Sequence, residues 1–169
     1  MKILSYKKFL NENIKNTDGI DYIFDFWCPE LSKIGNKRQY STYINTIFPK
    51  SITHGLILYR NTFEEYLNIK HGQYFTNNRL VAEETYKQNY THPVLLNLIY
   101  PKLLNFDETQ NINYKEILKS GFDGTYTKNL SSDIGISDDY KEYTITSPNQ
   151  VYLLGDDNDI EKFNSFLNE

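Results

Sequence analysis

The stretch SGFDGTYTKNLSSDIGISDDYKEYTITSPNQVYLLG, residues 120–155, contains three short strand-like segments separated by turn signals. GTYT, EYTIT and QVYLLG are rich in Thr, Tyr and Val, which strands favour, and the Gly and Pro-Asn positions around them are typical of turns. One carboxylate, Glu142, opens the second segment, which is otherwise aromatic and β-branched. The stretch therefore predicts a sheet with an acidic group at a strand end, and a functional interpretation depends on that group.

The chain before this stretch mixes further strand and helix signals. GLILYRNT (55–62) predicts a buried strand, and GQYFTNN (72–78) predicts a short strand ending in turn residues. PVLLNLIYP (93–101) predicts a strand bracketed by prolines, which are excluded from the interior of a central ladder. RLVAEETYKQ (79–88) and NYKEILKSG (113–121) predict helices. Because these elements do not alternate regularly, we expect an α+β fold with mostly antiparallel or mixed sheets.

Helix ends are also marked in the sequence. Asn113 with Glu116 resembles a capping box, and Gly121 suits the left-handed position after a helix. Asn158 with Glu161 repeats the capping pattern before a last amphipathic helix. The chain is therefore expected to contain a helix after residue 113 and another at its C-terminal end.

Residues 1–50 are expected to form a helical N-terminal region that packs on a main domain spanning residues 51–169. Ser5 is a candidate helix cap, and apolar residues recur at helical spacing from Ile20 to Ile34. Pro29 interrupts that spacing and predicts a break.

Composition narrows the class of protein. The chain has 169 residues, a net charge of −4, 15 Tyr and 10 Phe, so it has enough aromatic surface to bury a core. No block of Lys and Arg predicts an extended nucleic-acid surface. Neither a secretory signal nor an apolar run of membrane-spanning length is found. We therefore expect a soluble cytoplasmic protein that makes no membrane contact.

Several common functional motifs are missing from the sequence. There is no phosphate-binding glycine loop, and the three histidines lack the spacing of metal ligands, so no metal site is expected. GDDNDIEKF (155–163) lacks the central Gly of a calcium loop and is more typical of a helix start.

Four features remain, and their order along the chain is informative. They are LYRNT with Arg60, GQYFTNNRLVAEETY with Thr76, LKSGFDGTY, and KEYTITSPNQVYLLG with Glu142. In this order and spacing they resemble the ADP-ribosyltransferase superfamily, in particular its small phage and mobile-element members. The resemblance covers about residues 55–155. The opening SYKKFLNE resembles the first residues of several tailed-phage proteins.

The resemblance implies a split pair of small mixed or antiparallel sheets with flanking helices, and NAD as co-substrate in the cleft between them. The implied activity is mono-ADP-ribosylation of a host macromolecule, a protein in particular, in the host cytoplasm. The nicotinamide–ribose bond would break through an oxocarbenium-like transition state. A preorganised carboxylate stabilises such a state, and the resemblance gives this role to Glu142.

The resemblance also assigns roles to other residues. Thr76 would orient the glutamate, and Arg60 would contact the phosphates or ribose through its planar fork. The remaining cofactor contacts would come from aromatic side chains: Tyr59, Tyr74, Phe75 and Tyr86. No metal is required.

Three positions depart from the family pattern. Tyr140 stands where the arginine-modifying branch has Glu or Gln, Asn61 replaces a glycine, and Thr76 replaces a serine. Without the resemblance, Glu142 would be an edge-strand charge that blocks aggregation, Arg60 a surface ion-pair partner and Thr76 a helix cap or turn residue. The alternatives to a transferase are a non-catalytic binding or virion-associated module on the same fold and an NAD glycohydrolase.

Overall fold

The computed structural model describes residues 18–127 and 140–169, and it has an α+β architecture, as predicted. Its seven strands are β1 (Leu58–Thr62), β2 (Tyr74–Thr76), β3 (Tyr90–Leu96), β4 (Lys102–Leu104), β5 (Gly124–Thr127), β6 (Glu142–Ile145) and β7 (Val151–Leu153). The predicted strands all form, and β4 is an addition that its three residues were too few to signal. Within the described part of the chain, no helix is long and apolar enough to cross a membrane.

Helices flank the sheet and begin the described chain. Residues 18–22 are helical and continue as a π-helix at Ile23–Trp27, and a 3-10 helix follows at Pro29–Lys33. The break predicted at Pro29 is therefore confirmed. The α-helices that follow are α1 (Lys37–Ile44), α2 (Arg79–Tyr86), α3 (Phe106–Thr109), α4 (Tyr114–Lys119) and α5 (Asp157–Leu167). The cap predicted at Ser5 lies outside the described residues.

All seven strands form one sheet, with the order β4-β5-β6-β2-β1-β3-β7. Among the strand pairs that the described residues form, only β4 and β5 run parallel. The sheet differs from the expected split pair because β1 and β2 remain hydrogen-bonded. Their register is a single residue pair, Tyr59 opposite Thr76, so the two halves of the sheet meet at a narrow join.

The two faces of the sheet carry different apolar cores. On one face, the helices of residues 18–44 and α5 pack around Tyr59, Leu95 and Leu154. On the other face, Leu58, Phe75, Val94 and Ile145 belong to a second cluster. Strand alternation places neighbouring residues on opposite faces, and β1, β3 and β7 accordingly contribute to both cores.

The prediction that prolines bracket β3 is wrong, because Pro93 lies inside the strand opposite Tyr59. The Pro93 carbonyl accepts from the Leu154 N–H at 3.1 Å, just beyond the end of β7. The reciprocal donor would be the N–H that proline lacks. The indole N–H of Trp27 donates to the Leu154 carbonyl instead, at 2.9 Å. The N-terminal helices therefore supply the missing donor.

Of the two helix N-terminal caps predicted from the sequence, one is confirmed and the other is wrong. Asn113 caps α4 and Gly121 has φ +81°, both as predicted. At the last helix the cap is Asp156, whose side chain accepts from the Asp159 N–H, and the prediction of Asn158 is wrong. Both residues are good caps, and the preceding turn at Gly155, with φ +77°, starts the helix two residues earlier.

Candidate functional site

Glu142 and Thr76 lie directly opposite each other on neighbouring strands. Thr76 ends β2, Glu142 begins β6, and the two residues pair in the antiparallel ladder. Residues paired in this way project from the same face of a sheet, with Cβ atoms about 4.5–5.5 Å apart. The fold therefore brings together the two residues for which catalytic roles were predicted.

The carboxyl group of Glu142 is half-buried. Burial raises the pKa of Glu142 above its usual range. Among the described residues, no lysine or arginine forms an ion pair with this carboxylate. Glu142 also lies on an interior strand, between β5 and β2, so the interpretation as an edge-strand charge is wrong.

Threonines of β5 and β6 lie on the sheet face of Glu142. The Thr127 hydroxyl accepts a hydrogen bond from the Glu142 backbone N–H at 2.9 Å, where the β5–β6 ladder ends. Thr125 and Thr144, both buried, are joined by their hydroxyls at 2.6 Å. Sequence reasoning did not select Thr127. In GTYT, Thr125 and Thr127 stand two residues apart, which places both on one face of the strand. This spacing is the signal that could have identified Thr127.

Tyr74 lies on the same face, two residues before Thr76 and opposite Thr144. The pKa of Tyr74 is raised, mainly by burial. The neighbouring Tyr114 and the charge of Glu142 raise it further. Tyr114 comes from α4, and its hydroxyl donates to the Gly72 carbonyl at 3.3 Å. Tyr114 therefore lies next to Tyr74, and it was not predicted as a site residue.

Arg60 projects from the opposite face. It follows Tyr59, which shares the face of Thr76 and Glu142, and alternation directs the Arg60 side chain away from them. Its guanidinium donates to the Tyr74 carbonyl at 3.1 Å. The structure therefore does not bring Arg60 together with Glu142, and it gives the arginine a contact across the narrow join between β1 and β2.

The four aromatic residues predicted to contact the cofactor lie in different parts of the fold. Tyr59 is 6% exposed and belongs to the core beneath the N-terminal helices, and Phe75 is 1% exposed in the core of the other face. Neither ring is accessible for stacking on a ligand. Tyr86 ends α2, and its side chain lies outside the described residues. Tyr74 is the described aromatic candidate that adjoins Glu142.

Asn61, at the position of a family glycine, has a structural explanation. Its side chain is 1% exposed, donates to the Thr91 hydroxyl at 2.8 Å and accepts from the Gln88 N–H at 2.7 Å. These bonds fix the loop between α2 and β3. The departure from glycine therefore stabilises a loop connection.

The hydroxyl of Thr76 has a local role as well. It accepts from the Asn78 N–H at 3.2 Å, and Asn78 caps α2 by accepting from the Val81 N–H. Thr76 thus starts the turn that leads from β2 into α2. Asn78 rather than Thr76 is therefore the helix cap, and the alternative prediction of Thr76 as a turn residue is confirmed.

A cavity lies away from Glu142, over the edge of the sheet at β4. A pocket of about 240 Å³ is lined by Lys102, Leu104, Glu108 and Ile117 among others. One strand, β5, lies between β4, which lines the pocket, and β6, which carries Glu142. In residues 18–127 and 140–169, no cluster of three His, Cys, Asp or Glu side chains is arranged to hold a metal ion.

Comparison with known proteins assigns no family. No family model matches the chain, and no curated protein or solved structure matches it significantly.

Proposed function

We propose that this protein is a mono-ADP-ribosyltransferase that uses NAD to modify a macromolecule, with a host protein as the acceptor. The observation that supports the proposal best is the pairing of Thr76 with Glu142 on one face of the sheet. The resemblance of the chain to ADP-ribosyltransferases selected these two residues by order alone. Their direct juxtaposition was not required by that order.

The chemistry of the proposed reaction suits a half-buried carboxylate. As the bond between nicotinamide and ribose breaks, its electron pair leaves with the ring nitrogen and positive charge develops on the sugar. An ionised Glu142 would accept a hydrogen bond from the ribose 2′-hydroxyl and stabilise that charge. Low water exposure strengthens both interactions. A nucleophile of the acceptor would then form the new bond to the sugar carbon and lose its proton.

The residues beside Glu142 would position the reactants. Thr127 fixes the Glu142 backbone, and Tyr74, with Tyr114 next to it, offers an aromatic side chain for the nicotinamide ring. In this proposal Arg60 holds β2 in position from the opposite face of the sheet, through its hydrogen bond to the Tyr74 carbonyl. The phosphate contact first expected of Arg60 is left out of the proposal.

A non-catalytic binding module on the same fold is the second candidate. The position of Arg60 on the opposite face favours it, because the expected phosphate contact is then missing from the face of Glu142. The burial of Tyr59 and Phe75 favours it too, since neither ring is accessible to a ligand. This candidate predicts that NAD is not consumed.

Transfer of labelled ADP-ribose from NAD tests the proposal. The wild type and Glu142→Gln would be incubated with labelled NAD in the presence and absence of a cell lysate. Glu161→Gln, an exposed glutamate on α5, is the matched control. The proposal predicts label on a lysate protein with the wild type and the control, and none with Glu142→Gln.

Other outcomes would select the alternatives. Release of nicotinamide that is equally fast without lysate, with no labelled protein, would identify an NAD glycohydrolase. Intact NAD in every reaction, from folded protein whose melting temperature NAD does not change, would favour the binding module.

A further inference from the structure

The cavity over β4 lies on the same face of the sheet as Glu142. Leu104, which lines the cavity, is opposite Thr127 in the ladder, and the Thr127 hydroxyl accepts from the Glu142 N–H. Thr76 follows on β2, opposite Glu142. Residues opposite each other project from one face, so these four side chains form a row across the end of the sheet. Neighbouring strands lie about 4.8 Å apart, which puts the backbone of Leu104 about 10 Å from that of Glu142.

The two ends of this row differ. At β1 the row reaches Tyr59, opposite Thr76, which is buried beneath the N-terminal helices. At β4 the row reaches the cavity, whose volume of about 240 Å³ is that of about eight water molecules. A molecule that extends from Glu142 along the row therefore runs toward β4.

The cavity has an apolar floor and a polar rim. Leu104 and Ile117 are buried, and Phe122 lies beside them. Charged, amide and hydroxyl groups complete the lining: Lys102, Glu108, Asn111, Asn113, Glu116 and Ser120. The cavity therefore suits a side chain with an apolar stem and a polar end.

The charges at the rim favour a cation. The Lys102 ammonium lies 3.6 Å from the Glu108 carboxylate, so these two charges offset each other. Among the described residues, Glu116 forms no ion pair with a lysine or arginine. Two carboxylates against one ammonium leave a net negative charge in the lining, which repels a phosphate and attracts a basic group. Arginine combines an apolar stem with a planar fork of donors that suits carboxylates.

We propose that this cavity docks a basic side chain, arginine in particular, of the acceptor protein. The inference rests on the function proposed for Glu142, because the row gives the docked segment its direction. An extended chain advances about 3.3 Å per residue, so about three residues span the distance from the cavity to Glu142. The acceptor residue that is modified therefore lies about three residues from the docked basic residue.

Binding of a small arginine compound, without NAD, tests the cavity itself. The probe is N-acetylarginine methylamide, and the neutral control is the corresponding citrulline compound, which has nearly the same shape. Nitrogen-15 NMR of the full chain would be recorded for the wild type, for Glu116→Gln and for Glu161→Gln, an exposed control on α5. The arginine compound is expected to shift the amide signals of Ile117 and Ser120. Its affinity for Glu116→Gln should be about two- to five-fold weaker, the range for an exposed ion pair.

Three results would overturn docking of a basic side chain. The first is no shift at these amides with about 10 mM probe, which would fill about 90% of a site with a Kd of about 1 mM. The second is equal binding of the arginine and citrulline compounds. The third is tighter binding of ADP-ribose at the same amides, which would assign the cavity to NAD.

Transfer of labelled ADP-ribose to lysate protein separates this inference from the proposed function. With increasing lysate, Glu116→Gln is expected to need about two- to five-fold more for half-maximal labelling, at an unchanged maximal rate. Glu161→Gln should match the wild type. Loss of transfer in Glu142→Gln with unchanged lysate dependence in Glu116→Gln would overturn the docking site and leave the proposed function intact. No transfer by the wild type would reject the proposed function and, with it, the role of the cavity in binding an acceptor, even if the arginine compound binds there.

Discussion

At the scale of single residues, the proposed function depends on Glu142 and the side chains around it. The carboxylate lies on an interior strand, opposite Thr76 and above a threonine whose hydroxyl binds its backbone. A charged group placed there is partly removed from water, which lowers the stability of the fold unless the charge is paired or hydrogen-bonded. Perturbed carboxyl groups are common at functional sites for this reason.

The pH dependence of NAD cleavage tests the state of Glu142. Stabilising positive charge requires the ionised form, and burial raises the pKa of this carboxyl. Activity should therefore fall as the pH is lowered, with a midpoint above the usual range of a glutamate. The measurement is kcat/KM for nicotinamide release across the acid range. A midpoint at or below the ordinary value would contradict the assigned role.

Arg60 offers a second residue-scale prediction. Arg60→Lys keeps the charge but loses the planar fork that reaches the Tyr74 carbonyl, so the free energy of unfolding should fall by about 1 kcal/mol. The KM for NAD should stay unchanged, because Arg60 lies on the face opposite Glu142. Urea unfolding and steady-state kinetics would be compared with Arg38→Lys, an exposed control. A raised KM at unchanged stability would return Arg60 to phosphate binding.

At the scale of elements, the end of β7 depends on a side chain from the N-terminal region. Trp27 supplies the Leu154 carbonyl with the donor that Pro93 lacks. Gly155 follows with φ +77°, and a Cβ there would lie 2.8 Å from the nearest atoms of Trp27 and Cys28. The turn into α5 and the end of the π-helix are therefore fitted to each other.

Replacing Trp27 by Phe keeps a ring but removes the donor. The Leu154 carbonyl would be left without its hydrogen bond, and the free energy of unfolding should fall by about 1–3 kcal/mol. Phe26, which is 78% exposed, provides the control variant Phe26→Leu. Chemical denaturation followed by circular dichroism measures both. Equal stability of Trp27→Phe and the wild type would mean that this bond does not hold β7 in place.

At the scale of the whole molecule, the described N-terminal helices and the sheet share one core. Leu31 is 0% exposed and packs in the cluster that contains Tyr59 and Leu154 of the sheet region. A cavity there would weaken both parts together.

Leu31→Ala is therefore expected to lower the free energy of unfolding of the protein by about 2–5 kcal/mol. Leu118→Ala, at a leucine 51% exposed on α4, should change it by less than about 0.5 kcal/mol. Thermal and urea unfolding of both variants measure the difference. Similar small losses in the two variants would show that residues 18–44 are not part of the folding core.

Much of the fold could be predicted from local pattern. The strands around Arg60, Thr76 and Glu142 are apolar or β-branched runs bounded by turns, so composition alone locates them. Pro93 was misjudged because the sequence does not reveal where the neighbouring strand ends or that Trp27 replaces the missing donor. β4 was missed because three residues carry no usable period.

The candidate site was predictable only in part. Order along the chain selected Thr76 and Glu142, and the ladder register then placed them together. Register also placed Arg60 on the opposite face and buried Tyr59, which no local pattern could indicate, since a shift of one residue exchanges the faces. Tyr114 comes from a helix far along the chain, so its approach to Tyr74 is a tertiary contact.

Nicotinamide release from NAD by the wild type and by Glu142→Gln tests most directly whether Glu142 catalyses NAD cleavage. Circular dichroism first shows that both proteins are folded. The proposed function predicts release by the wild type and a loss of at least about 100-fold in Glu142→Gln, the size of effect that removal of one preorganised electrostatic group produces. Equal release by the two proteins, or none by the wild type with lysate present, would contradict it.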